Sequence, residues 1–126
     1  YIHTYLVLIL LLLLLLLFTH IHTYVRTYLH TYILLHILTD ALDASLDNYD
    51  KSLQARLVEE VEGKLHPDVP ITLHNMAHVL QKQGKWSEAI QYYRDSLSLN
   101  KEIHGNEHYA NQLMKLKIKK CQQLLP

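Results

Sequence analysis

Residues 5–18 form an unbroken apolar run dominated by leucine, and polar residues enter only by steps after it. The run is about 14 residues, or about 21 Å as a helix, short of the roughly 30 Å hydrocarbon core of a bilayer. Ile2 on one side and residues 19–25 on the other extend it without adding a charge. A membrane helix over about residues 5–25 then places His3, His20 and His22 near the interfaces. Three readings of this stretch stay open: a membrane-inserted helix, a secretory signal, and a helix buried against a protein partner. The signal fits less well than the membrane helix, because no basic stretch precedes the run and no small-x-small cleavage site follows it.

Next comes a tetrad in three copies: His22-Thr23-Tyr24-Val25, Arg26-Thr27-Tyr28-Leu29 and His30-Thr31-Tyr32-Ile33. On a helix, Tyr24, Tyr28 and Tyr32 would share one face, as an aromatic belt at a membrane interface does. The plainer reading is a translated tandem sequence that specifies little, because biased composition without a mixed pattern rarely defines a packed core. The histidines at 3, 20, 22, 30 and 36 belong to the same bias and have no metal-ligand spacing on a rigid frame.

From Asp40 the pattern becomes helical. Leu42, Leu46, Tyr49, Leu53 and Leu57 recur at spacings of three and four, which puts them on one face. Gly63 suits a C-terminal cap in a left-handed conformation. His66-Pro67-Asp68-Val69-Pro70 reads as a connector, with both prolines at or before a first turn and Asp68 as the N-cap. Ile71, Leu73, Met76, Ala77 and Leu80 make the apolar side of the next helix. Gly84 ends that helix, and residues 86–103 form another, with Ser87 and Glu88 near its positive N-terminal end.

The flanking residues repeat. Gly63 and His66 recur as Gly105 and His108, a period of about 42 residues; Tyr49, Ser52 and Leu53 recur slightly further apart as Tyr93, Ser96 and Leu97. A period of this size marks a repeat array, whose units bury their apolar faces against neighbours and line a concave surface. The pattern predicts an all-α protein in two parts. Residues 1–39 are an apolar, low-complexity helical segment. Residues 40–126 are an antiparallel helix-turn-helix solenoid fragment, with one complete repeat at about 66–107.

Composition adds exclusions. The chain has 126 residues and zero formal net charge, so nothing in the charge balance favours a nucleic-acid partner. Arg26 is the one Lys, Arg, Asp or Glu before Asp40; beyond it charges are dense and mixed, as on a soluble helical surface. Cys121 is the single cysteine, which rules out an intrachain disulfide and a cysteine-based zinc cage. The chain opens on Tyr1 rather than Met, as a fragment or a processed product would.

Residues 73–97 resemble the tetratricopeptide repeat (TPR). Leu73, Met76-Ala77, Leu80, Gly84, Trp86, Ala89, Tyr93 and Ser96-Leu97 follow its order and spacing. Ala77 and Ala89 let two antiparallel helices approach closely, Trp86 and Tyr93 fill the space beside them, and Ser96 keeps the volume small where alanine is usual. The longer period, and Gly-x-x-His-Pro-Asp-Val at residues 63–69, look like the kinesin light chain type of this repeat. Asn75 keeps the second asparagine of that type's Leu-Asn-Asn-Leu-Ala motif, and His74 replaces the first.

The resemblance implies a scaffold or adaptor that binds a peptide or protein partner in a groove lined by the first helices. It places Ile71, His74, Asn75, His78 and Gln81 toward that ligand, and the Asn75 amide is both donor and acceptor for a bound backbone. The plain alternative is that these are solvated helix positions. A lysine-rich groove gripping a terminal carboxylate is disfavoured, because His74 and His78 stand where strongly cationic groups would be needed. Residues 109–125 read as a basic terminal helix that covers the apolar edge. Lys119 stands where Ala77 sits one repeat earlier and would obstruct close packing. Lys115, Lys117, Lys119 and Lys120 would otherwise meet anionic lipid or an acidic partner.

An enzyme is not expected. His74 and His78 share a helix face, but Asn75 stands where a zinc protease needs its glutamate, and no third ligand is evident. No glycine-rich phosphate loop is present, and Cys121 has neighbouring lysines without a histidine partner. Neither cofactor nor metal is expected. The expected location is cytoplasmic, with membrane anchoring through residues 5–25 as the rival emphasis in which the repeat is only a tether. One full repeat buries little apolar area, so neighbouring repeats or self-association are expected to complete it.

Overall fold

The computed structural model describes residues 1–58, 60–61 and 64–126. Gly63, expected as a helix cap, lies outside the described residues. Four helices appear in the order α1 (Ile2–Val58), α2 (Val69–Lys82), α3 (Trp86–His104) and α4 (Tyr109–Gln123). Between α1 and α2, Glu60–Val61 (β1) and Lys64–Leu65 (β2) pair antiparallel, Glu60 with Leu65 and Val61 with Lys64. Among the described residues, the architecture is all-α apart from this two-residue pairing. It divides into two units, Tyr1–Leu38 and Thr39–Pro126.

In the first unit the tandem segment is regular helix, continuous with the leucine run. No glycine or proline precedes Gly63, so nothing in the backbone chemistry interrupts it. The threonine hydroxyls find partners on the same helix. The hydroxyls of Thr19, Thr23, Thr27 and Thr31 donate to the carbonyls of Leu16, His20, Tyr24 and Tyr28 at 2.8–2.9 Å. The simple sequence therefore specifies a helix with its hydroxyls satisfied, though not a packed core.

The second unit is built on α2 and α3, an antiparallel pair joined at Gly84. That glycine adopts φ +75°, a conformation costly for residues with a Cβ, and an added Cβ would meet no atom within 4 Å. The turn therefore needs glycine for its dihedral rather than for space. One cluster joins Ala77 and Leu80 of α2, Ala89, Ile90 and Tyr93 of α3, and Cys121 of α4. A second joins Leu53 of α1 to Val69, Leu73 and Met76 of α2. Leu46 and Tyr49 pack against these clusters. Leu57, assigned to the same face by its spacing, is instead exposed near the end of α1. Arg56 takes up the contact with α2 on that turn, bonding the Ser52 hydroxyl and the Thr72 hydroxyl, with Asp68 3.7 Å away.

Asp68 also departs from expectation. It holds the residue position before α2, but its backbone is helical and its carboxylate caps nothing. Its carbonyl receives the Thr72 amide at 2.9 Å, and its own amide donates to His66 Nδ1 at 3.1 Å. The carboxylate faces Arg56 instead, where a charged donor replaces the backbone amides. The real side-chain cap is at α4, where His108 Nδ1 accepts from the Ala110 amide at 3.4 Å.

Candidate functional site

Each position on α2 belongs either to the interior or to one outward stripe. Val69, Pro70, Thr72, Leu73, Met76, Ala77, Val79 and Leu80 are buried. What remains includes Ile71, His74, Asn75, His78 and Gln81, recurring at helical spacing on one face. Ile71 is 55 % exposed, and the other four are half-buried. Among the positions expected to pack, Ala89, Tyr93 and Ser96 of α3 are buried, while Trp86 and Leu97 are only partly covered.

Two of the stripe residues are tied to the interior through Tyr93. The Tyr93 hydroxyl donates to Gln81 Oε1 at 2.9 Å, and its ring stands edge-on to the His74 ring at 5.3 Å. Burial and the nearby Cys121 push the Tyr93 phenol up to about 12. His74 is held below the ordinary imidazole range by burial first, then by the charges of Lys117 and His78. His78 is lowered by burial, then by Lys117 and Lys82. Lys117 belongs to α4, so tertiary packing brings to this wall a fixed cation that α2 has only at Lys82.

Between α2 and α4 lies a cavity of about 150 Å³. Pro70, Ile71 and His74 form one wall, Tyr109, Ala110, Leu113 and Met114 the other, and Ser96 and Asn100 of α3 the floor. The floor is fixed by polar contacts. The Ser96 hydroxyl donates to the Pro70 carbonyl at 2.6 Å, which gives this departure from alanine a bonding role. Asn100 Nδ2 donates to Asn111 Oδ1 at 2.8 Å, and Asn111 Nδ2 donates to the carbonyls of Gly105 and Asn106, both at 2.9 Å. Asn111 is fully buried, and these bonds hold α4 against the end of α3. Gly105, at φ +87°, makes the bend possible.

The sequence reading of residues 109–125 as a cover, with its lysines as an alternative contact for lipid or an acidic partner, does not include the α4 wall of this cleft. The repeat period carried the signal: one period beyond Ile71 stands Leu113, and one beyond Asn75 stands Lys117. Lys119 does fall one period beyond Ala77. It is exposed, however, and α4 instead buries Asn111, Met114 and Cys121 against the preceding helices. These stand one period beyond Val69, Thr72 and Val79, so the same side of each first helix faces the helix before it. Lys119 therefore obstructs nothing here.

A sequence profile of the tetratricopeptide repeat matches residues 24–102 and again residues 68–111. The chain belongs to the tetratricopeptide repeat family. Repeats of this family are in general protein–protein interaction modules and typically non-catalytic scaffolds. Compared with curated proteins and with solved structures, this tetratricopeptide repeat chain finds no match in either. Among the described residues, no three His, Cys, Asp or Glu side chains come together as a metal site. His74 and His78 stand without a third ligand there. The Cys121 thiol is buried and pushed up by that burial, against the opposing pull of Lys117 and Lys120. A buried thiol with a raised pKa is a poor nucleophile.

Proposed function

We propose that the cleft between α2 and α4 docks an extended segment of a protein partner, and that the repeat serves as an adaptor of the kinesin light chain type. The observation that carries this reading is the chemistry of the two walls. They enclose an apolar cavity with Ile71, Leu113 and Met114 at its lining. Neither α2 nor α4 contains an aspartate or glutamate, whereas the charge of Lys117 on α4 acts on His74 and His78 of α2, and that of Lys82 acts on His78. An apolar anchor flanked by negative charge suits such a surface, because cationic walls steer an acidic segment and repel a basic one. Asn75, half-buried beside His74 and His78, is the residue of the stripe suited to pairing with a bound backbone. The subtype is supported by the period of about 42 residues and by the His66-Pro67-Asp68-Val69 connector before α2.

Selection of a displayed random-peptide library on the full chain in mild detergent tests the reading. The expected peptides carry one large apolar residue next to acidic ones. They bind Leu113→Glu and Lys117→Glu at least about tenfold more weakly than the parent, in proportion to a lost anchor or a reversed charge. Peptides of no common charge, or peptides indifferent to both substitutions, would overturn it.

A further inference from the structure

The first unit is one helix whose large apolar side chains point outward all the way round. None of residues 6–18 is less than 55 % exposed, and Ile21, Tyr24 and Val25 are more than half exposed as well. Ordinary amphipathic helices leave one side polar. This one has no polar side over residues 5–18, so water suits none of its faces. The first unit also makes few polar demands on its surroundings. Its backbone amides and carbonyls are paired along the helix, the arrangement hydrocarbon requires. Its threonine hydroxyls are turned back onto carbonyls of the same helix at Leu16, His20, Tyr24 and Tyr28. A hydroxyl that has satisfied itself costs little to remove from water.

We propose that residues 5–25 cross a lipid bilayer, with Arg26 marking the interface. Twenty-one residues of helix make about 31 Å, matching a hydrocarbon core of roughly 30 Å. The stretch carries no charge until Arg26, and its length matches the core closely enough that Arg26 falls at the boundary. Tyr24 and Tyr28 flank Arg26, and Tyr1 and Tyr5 stand at the other end, so aromatic rings of amphipathic character sit at both boundaries. His20 and His22 fall within about two turns of Arg26, where side chains reach the headgroups. The Phe18 and His22 rings stack at 6.5 Å along this last stretch. The occupant of this surface is lipid, because an apolar length equal to the bilayer core, with aromatic rings at both ends and a charge just past one of them, fits hydrocarbon between two polar interfaces.

Cell-free synthesis of the full chain with phosphatidylcholine liposomes, and separately with microsomes, tests the proposal. The chain is expected to float with the liposomes, to resist alkaline carbonate, and to keep its full length in microsomes. Leu12→Arg combined with Leu15→Arg, at the middle of the span, is expected to lower the floating fraction about tenfold or more. Leu116→Arg, on the exposed side of α4, should leave flotation unchanged. Four results would overturn the proposal: release by carbonate, shortening by removal of a leader, a soluble chain in the unbound fraction, or flotation of the double variant at the parental level.

Discussion

Tyr93→Ala probes the interior of the repeat most directly. Tyr93 is fully buried in the cluster formed by Ala77, Leu80, Ala89, Ile90 and Cys121, and its hydroxyl holds Gln81. Truncating a buried aromatic side chain costs about 3–5 kcal/mol, from lost transfer energy and the cavity left behind. At roughly 0.05–0.15 kcal/mol per residue, a unit of the size of Thr39–Pro126 holds on the order of 4–13 kcal/mol. The substitution therefore removes about a quarter of the stability or more. Tyr93→Phe keeps the ring and loses only the bond to Gln81, at about 0.5–1.5 kcal/mol. Trp86, the single tryptophan, packs against this cluster and reports its unfolding by fluorescence in urea. A loss below about 1 kcal/mol for Tyr93→Ala, or equal losses for the two variants, would refute the packing argument.

The same residue makes an alkaline prediction. Its folded pKa of about 12 lies above the ordinary 10.0, so the folded state holds the proton more tightly than the unfolded one. The stability this represents is intact below about pH 10 and is lost as the pH rises through about 12. Tyr93→Phe lacks the titrating group, so its stability should fall less steeply over that window.

Three further outcomes follow from the geometry. Asn111→Ala removes bonds to Asn100, Gly105 and Asn106 at a buried site and should cost about 1–3 kcal/mol in urea unfolding, with α4 losing amide-exchange protection before α2 and α3. His74 is held below its ordinary pKa of 6.5 by burial, Lys117 and His78, so its contribution is present above that pH and is lost as pH falls through the folded value. The thermal midpoint should drop on acidification below about 6.5, and His74→Gln should flatten the drop. Lys115 and Lys119 stand one period beyond Leu73 and Ala77, on the exposed side of α4; Lys115→Leu with Lys119→Ala makes that side apolar and should raise the oligomeric state seen by sedimentation in a detergent that keeps the parent monomeric.

Helix periodicity together with the resemblance to the tetratricopeptide repeat made the α2–α3 hairpin legible. Alanines at 77 and 89, a glycine at 84 and aromatics at 86 and 93 admit few packings, because helices approach closely only across small residues. Local chemistry settled the leucine run in the same way. Leucine is a strong helix former and the run has no glycine or proline to break it, and the tandem tetrads continue the helix without either breaker, their threonine hydroxyls partnered on the same helix. Leu57 and Asp68 show the limit of that reading. Each had the right residue type at the right spacing, yet Arg56 decided both: it covers the end of α1 where Leu57 was expected, and it faces the carboxylate expected to cap α2.

The joining of the two walls of the cleft belonged to the three-dimensional level. Ile71 and His74 on one helix meet Tyr109 and Leu113 on another only after the Gly105 bend and the Asn100–Asn111 contact set α4 against α3. Lys117 changes the electrostatics of His74 and His78 across roughly forty residues of chain, and Cys121 closes a cluster otherwise drawn from α2 and α3. Periodicity records which side of a helix is apolar, since that is a property of neighbouring residues. Which helix covers that side, and whose charge stands opposite, depends on long-range packing that no local spacing encodes.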